Sequence, residues 1–201
     1  KLQLPDIIQK VEANGPYLNF YVDREALVKE TLTSIQKNKD YGSSNEGKGK
    51  KATVEHTSIN PNASPHVGRI RNSIIGDSIV RLLKFQNYNV NTRYFVNDIG
   101  KQIAMLVYGC KDKKKVKFEN ILKIYIQTNK KVEKNKKLEE EIFDLLKKLE
   151  SNDKKVRSSF KHIVDICVKG QTQILKDLDI NFDKFDYESD YLFDKKTDEI
   201  L

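Results

Sequence analysis

The chain contains 201 residues, of which 38% are hydrophobic and 33% charged, and its net charge is +8. No apolar run reaches the length of a membrane span and no signal-peptide pattern opens the sequence, so we expect a soluble protein with no membrane partner. The two cysteines, Cys110 and Cys167, have the spacing of neither a disulfide framework nor a zinc site, which predicts reduced thiols in a cytoplasmic protein and no metal site.

The amino-terminal segment contains one clear strand and one clear helix. Residues 1–12 predict the end of a helix or a connector, and residues 14–16 predict a turn. Residues 17–22 alternate as in a strand. Asp23 can cap a helix over residues 24–36, whose candidates for burial include Ala26, Leu27, Leu32 and Ile35. The following polar residues, 38–51, contain three glycines and predict a linker.

The stretch from residue 53 to residue 77 predicts a strand, a tight turn and a helix. Residues 53–58 alternate between two faces, as in a strand. Asn, Ser and two prolines then fill residues 60–65, which excludes both strand and helix there. Pro65 sets the backbone for a helix start. From Val67 onward, apolar residues recur at helical spacing over about five turns.

This strand, turn and helix indicate a site for phosphate. A helix N-terminus offers unpaired backbone N–H groups and partial positive charge, and both favour anions. His66 and Arg69 lie three residues apart and add side-chain donors at the same place. Gly68 between them lets a ligand approach the backbone closely. An ordinary strand-to-helix turn with an exposed histidine and arginine is the alternative that spacing alone leaves open.

A second strand is predicted for residues 92–96, parallel to the first. The connection from strand through helix to strand is the βαβ unit of a nucleotide-binding sheet. Residues 97–100 follow at the carboxyl end of this strand, where ligands of such sheets collect. An apolar helix is expected over residues 100–109.

The carboxyl-terminal half is rich in lysine. Residues 111–161 contain sixteen lysines and one arginine against nine acidic residues, an excess equal to the net charge of the whole chain. Helices are predicted over residues 118–129, 136–149 and 153–178, and a strand over residues 181–187. The basic segment is interpreted first as a solvated helical face, and contact with an RNA backbone is the alternative.

Several motifs carry a resemblance to a known family. His66-Val-Gly-Arg69 resembles the His-Ile-Gly-His signature of class I aminoacyl-tRNA synthetases. The context Val54-Glu-His-Thr-Ser-Ile-Asn-Pro61, Arg71-Asn-Ser-Ile-Ile-Gly-Asp-Ser78 and Tyr94-Phe-Val-Asn-Asp-Ile-Gly-Lys-Gln102 narrows it to arginyl-tRNA synthetases of the archaeal-like form. The resemblance extends more loosely through the rest of the chain.

The resemblance implies an α/β fold with a Rossmann-like (HUP-type) parallel sheet. Residues 1–37 would be the remnant of an N-terminal accessory domain and residues 38–51 a linker. Residues 52–110 would form the first half of the catalytic domain. Residues 111–201 would be a lysine-rich helical connective region that returns to the sheet.

The resemblance also implies an activity, an arginine–tRNA ligase that uses ATP with Mg²⁺, arginine and tRNA(Arg) in the cytoplasm, in a parent protein that is monomeric. His66 and Arg69 would be catalytic, although Arg69 stands where the signature has a second histidine. The ATP site would comprise Pro65, His66, Gly68 and Arg69. The arginine pocket would comprise Glu55, Ser58, Asn60, Asp98 and Gln102.

One family motif is absent from the sequence. Class I enzymes carry a second, lysine-rich loop of the Lys-Met-Ser-Lys-Ser type, and the single methionine here, Met105, lies in a predicted helix. The first residue is Lys1 rather than methionine. We therefore expect an amino-terminal fragment that is inactive alone. The alternative is a truncated, synthetase-derived module that binds nucleotide or RNA without ligase activity.

Overall fold

The computed structural model describes residues 4–113 and 115–194. The chain divides into two compact units, Lys1–Asn45 and Glu46–Leu201. The boundary falls within the polar stretch that the sequence predicts as a linker. The assignment of the first 37 residues to an accessory domain stays a prediction.

The first unit is a β-hairpin followed by a helix. Strands β1 (Ile8–Asn14) and β2 (Tyr17–Val22) pair antiparallel, and Gly15 turns the chain with a φ of 57°. The prediction of a helix end or connector over residues 1–12 is therefore wrong from Ile8 onward, and its first three residues lie outside the described ranges. β1 forms because it pairs with β2 across the turn, with Val11 opposite Phe20. Its own residues show little alternation between apolar and polar side chains.

Helix α1 (Arg24–Lys37) begins as predicted, because the Asp23 carboxylate accepts from the N–H groups of Glu25 and Ala26 at 3.0 Å. The expected burial along α1 is wrong, since Leu27, Leu32 and Ile35 are exposed. Every residue of β2 is exposed as well. A hairpin with one helix is too small to enclose an apolar core.

The second unit contains a three-stranded parallel sheet in the order β3-β4-β5. The strands are β3 (Lys51–Thr57), β4 (Asn89–Val96) and β5 (Lys184–Tyr187), and helix α2 (Val67–Phe85) connects the first two. The predicted βαβ unit is confirmed. β4 lies in the middle, which explains why its inward side chains Thr92, Tyr94 and Val96 are buried.

Four helices connect β4 to β5: α3 (Lys101–Cys110), α4 (Phe118–Val132), α5 (Lys136–Glu150) and α6 (Lys154–Lys176). α3 is the centre of the core, with buried side chains along most of its length. A short helix, α7 (Glu188–Phe193), follows β5. No helix in the described ranges combines the length and apolar character that crossing a membrane requires.

Candidate functional site

The carboxyl end of β3 contains an irregularity in its pairing with β4. Glu55 lies opposite Arg93 and Thr57 opposite Tyr94, so His56 is an extra residue, a β-bulge. The simple alternation expected for residues 53–58 is interrupted there, leaving Thr57 buried and Ser58 exposed.

The bulged His56 is fixed by α2 and by an aromatic neighbour. Its Nδ1 lies 2.8 Å from Thr57 Oγ1, which lies 2.9 Å from Ser73 Oγ on α2. Its ring centroid lies 5.3 Å from that of Phe182. In the described part of the structure, the buried Nε2 has no hydrogen-bond partner. Burial lowers the pKa of His56 below its ordinary 6.5, and nearby Asp77 opposes this shift.

We expect this burial to make stability depend on pH. Because the unfolded chain binds a proton at His56 more readily, the free energy of unfolding should fall as pH drops below 6.5 and level off below the folded pKa. Above 6.5 the neutral imidazole has no such effect. Urea unfolding at about pH 7.5 and about pH 5.5 measures the difference. His56→Leu should reduce the difference, and the exposed His162→Ala should not.

Helix α2 begins with an open N-terminus. His66 is the N-cap residue, and its side chain makes no capping hydrogen bond. The imidazole Cε1 lies 3.2 Å from where a Cβ at Gly68 would be, so the ring lies over the first turn. Arg69 donates from its guanidinium to the backbone oxygen of Ser58. The first turn carries no acidic residue, so amide groups, an imidazole and a guanidinium are concentrated there.

An open cleft of about 410 Å³ lies between the end of β3 and this first turn. The structure brings together in it five of the residues that the sequence predicts. Its lining comprises Glu55, His56, Thr57, Ser58, Ile59, His66, Gly68, Arg69 and Asn72. Pro65 immediately precedes the N-cap. Glu55 is the one carboxylate among these lining residues, so the cleft can accommodate an anion at α2 and a cationic group at β3.

Asn60 and Gln102 meet in a neighbouring cleft of about 200 Å³. Gln102 Oε1 accepts hydrogen bonds from the side-chain amides of Asn60 at 3.1 Å and Asn62 at 2.8 Å. These contacts join the loop after β3 to the start of α3.

Asp98 lies in a third cleft, of about 330 Å³, beside Tyr187 and α7. Its carboxylate accepts from the backbone N–H of Ser189 at 2.9 Å and from the Ser189 hydroxyl at 2.5 Å. Burial raises the pKa of Asp98, and the bonds from Ser189 oppose the rise. The structure therefore does not bring Asp98 into the cleft of Glu55 and His66.

One residue that sequence reasoning missed holds the loop after β3. Gln171, fully buried on α6, donates to the backbone oxygens of Asn60 at 2.9 Å and Ala63 at 2.8 Å. Its Oε1 accepts from the hydroxyl of Tyr94 at 2.9 Å. A signal for Gln171 was present, because it is a single amide within the apolar stripe of α6 between Val168 and Leu175.

Known proteins of one family resemble this chain over most of its length. Residues 31–201 match the family model described as tRNA synthetases class I (R), catalytic domain. The arginine–tRNA ligase of Methanothermobacter thermautotrophicus is 35% identical over 208 residues, covering 100% of this chain and 36% of that protein. The arginine–tRNA ligase of Methanococcus maripaludis strain C6 is 38% identical, covering 92% of this chain and 34% of that protein.

A solved structure gives the same result for the fold. The arginyl-tRNA synthetase of Thermus thermophilus superimposes with a TM-score of 0.72 at 27% identity, covering 95% of this chain and 31% of that one. The predicted class I synthetase α/β fold is thus confirmed. The chain spans about a third of the length of the curated relatives it matches. With a family match over residues 31–201, the chain belongs to the class I (R) tRNA synthetase catalytic domains.

Proposed function

We propose that the protein is an arginine–tRNA ligase, which activates arginine with ATP and transfers it to tRNA(Arg). The observation that supports this most directly is the cleft at the carboxyl edge of β3. One side of it presents the open amides of α2 with His66 and Arg69, and the other side presents the carboxylate of Glu55. The two sides complement the two substrates of the first step, a polyphosphate and a cationic amino acid.

In the proposed first step, a carboxylate oxygen of arginine attacks the α-phosphate of ATP. The bond from that phosphate to pyrophosphate breaks, and arginyl-adenylate forms. The chain's contribution is to position both reactants and to stabilise the negative charge on the phosphates. His66 and the first amides of α2 would donate to the phosphates, with Mg²⁺ bound as part of the substrate MgATP. Gly68 leaves room for the nucleoside beside the backbone.

Arg69 has a second role in this proposal. Its donation to the Ser58 carbonyl keeps the end of β3 against the first turn of α2. Its guanidinium would also add positive charge next to the phosphates.

Arginine would bind around Glu55, whose carboxylate suits either the guanidinium or the α-ammonium group. Ser58 lies in the same cleft. Asn60 and Gln102, in the neighbouring cleft, would form the adjacent wall of the arginine site. Asp98 would not contact arginine directly; its carboxylate would hold Ser189 in α7. The proposed setting is the cytoplasm, with tRNA(Arg) as the second substrate and a monomeric protein.

The first test is His66→Ala in the full-length protein. Loss of a donor to the phosphates should lower the rate of tRNA-dependent ATP–pyrophosphate exchange by about tenfold or more. His162→Ala, an exposed histidine on α6, is the matched control and should leave the rate unchanged.

A normal exchange rate in His66→Ala would contradict the role given to this imidazole. Binding of ATP and tRNA by the unmodified protein without any exchange would instead identify a nucleotide- and RNA-binding module, which is the alternative function.

A further inference from the structure

The turn between α4 and α5 carries a dense cluster of positive charge. Residues 129–137 contain five lysines against a single acidic residue, Glu133. We call these five residues the lysine tip, and all of them are exposed: Lys130, Lys131, Lys134, Lys136 and Lys137. Within the described ranges none of the five forms an ion pair, and Glu133 accepts a hydrogen bond from Asn129.

The placement of these lysines does not favour the stability of the helices that carry them. Lys136 and Lys137 occupy the first turn of α5, where the helix dipole is positive and disfavours cations. The five ammonium groups also repel one another across one short turn. A bound polyanion would relieve both effects.

The lysine tip is attached to the edge of the sheet that carries the candidate site. Glu139, in the same helical turn as Lys136 and Lys137, pairs with Lys101 at 2.5 Å. The Lys101 ammonium also lies 5.1 Å from the centroid of the Phe143 ring on α5. Lys101 is the neighbour of Gln102, whose side chain holds Asn60 and Asn62. An RNA strand lying along the lysine tip would therefore be close to the cleft that Asn60, Lys101 and Gln102 line.

We propose that the lysine tip binds the phosphate backbone of the tRNA and guides its acceptor end to the clefts at the carboxyl edge of the sheet. This proposal rests on the proposed function. Repeated phosphates at regular spacing match a row of flexible ammonium groups, and release of counterions from the RNA drives the association. A lipid surface is less suitable, because no large apolar side chain is exposed within residues 129–137 to enter a bilayer.

The test compares two variants of the full-length protein that lose the same charge. The tip variant changes all five lysines of the lysine tip to glutamine. The control variant changes five exposed lysines elsewhere on α4, α5 and α6 to glutamine, namely Lys123, Lys147, Lys148, Lys154 and Lys161. Binding of a fluorescent transcript of tRNA(Arg) is measured by anisotropy over a range of salt concentrations.

For the tip variant we expect Kd to rise by about tenfold or more, and the slope of log Kd against log salt to fall by about 2–3, since each lost phosphate contact removes slightly less than one unit. The control variant should change Kd by less than about threefold. Equal losses in the two variants, or an unchanged Kd in the tip variant, would overturn the proposal. The proposal would also be overturned if binding to phosphatidylserine vesicles required the lysine tip and binding to RNA did not.

Pyrophosphate exchange separates this proposal from the proposed function. At saturating tRNA the tip variant should show the same exchange rate as the unmodified protein, because only its KM for tRNA changes. The His66→Ala variant should remain slow at any tRNA concentration. If the unmodified protein shows no exchange but binds RNA through the lysine tip, the proposed function fails and the RNA surface stands. If the unmodified protein shows normal exchange and the tip variant binds tRNA normally, the proposed function stands and the proposed RNA surface fails.

Discussion

Replacing Gln171 with leucine is expected to lower the free energy of unfolding by about 2–4 kcal/mol, since each buried polar group left without a partner costs about 1–3 kcal/mol. The leucine keeps the volume of the side chain and removes its amide. The carbonyls of Asn60 and Ala63 then lose their hydrogen bonds from Gln171, and the hydroxyl of Tyr94 keeps only the backbone oxygen of Ile59, at 3.3 Å. Urea denaturation followed by circular dichroism measures the change.

The same substitution should also affect the clefts. Gln171 holds the loop that carries Asn60, so we expect weaker arginine binding in the Gln171→Leu variant even at temperatures where it stays folded. Gln173→Leu is the matched control, because Gln173 is exposed on the same helix and bonds only to Asp177 among the contacts described. Equal stability of the two variants would show that the amide of Gln171 does not hold the loop.

The second large effect is expected at the contact between α2 and β3. A Cβ at Gly76 would lie 2.0 Å from His56 Cβ and 2.2 Å from its Cγ, far inside van der Waals contact. Gly76→Ala should therefore destabilise the protein by about 3 kcal/mol or more, because the helix must move away from the strand. In an uncrowded helix the same change would stabilise by about 1 kcal/mol. The melting temperature and the urea midpoint give the sign directly.

Two further variants identify the cause of this loss. Ser78→Ala, at an exposed position of the same helix, should be close to neutral. The double variant Gly76→Ala with His56→Gly removes the atoms that collide and should recover part of the stability lost in Gly76→Ala. Stabilisation by Gly76→Ala alone would mean that α2 and β3 are not in the close contact described.

Elements with a strong local pattern were predictable from the sequence. The turn rich in proline and asparagine and the apolar spacing from Val67 onward specify the end of β3 and the start of α2 by themselves. The order of strand, helix and strand then follows from the handedness and length of such connections. The grouping of Glu55, His66 and Arg69 in one cleft could be predicted for the same reason, because all three lie within a stretch of fifteen residues in one βαβ unit.

Features set by pairing with another segment could not be predicted from their own residues. The bulge at His56 depends on its register with β4, and β1 depends on a partner across a turn. The family resemblance grouped Asp98 with Glu55 in one arginine pocket, and residues 97–100 follow the strand that pairs with the strand of Glu55. In the structure, the hydrogen bonds from Ser189 near the end of the chain draw Asp98 to β5 and α7 instead. Nothing in the local sequence of residues 97–100 indicates that partner.

The anchoring of the Asn60 loop by Gln171 has a consequence for synthesis on the ribosome. The two carbonyls that Gln171 holds precede it by 111 and 108 residues. All residues that line the cleft at the end of β3 leave the exit tunnel long before this amide does. The nascent chain thus carries the residues of this cleft with the Asn60 loop unanchored until α6 emerges and docks, which delays completion of the cleft until α6 has been translated.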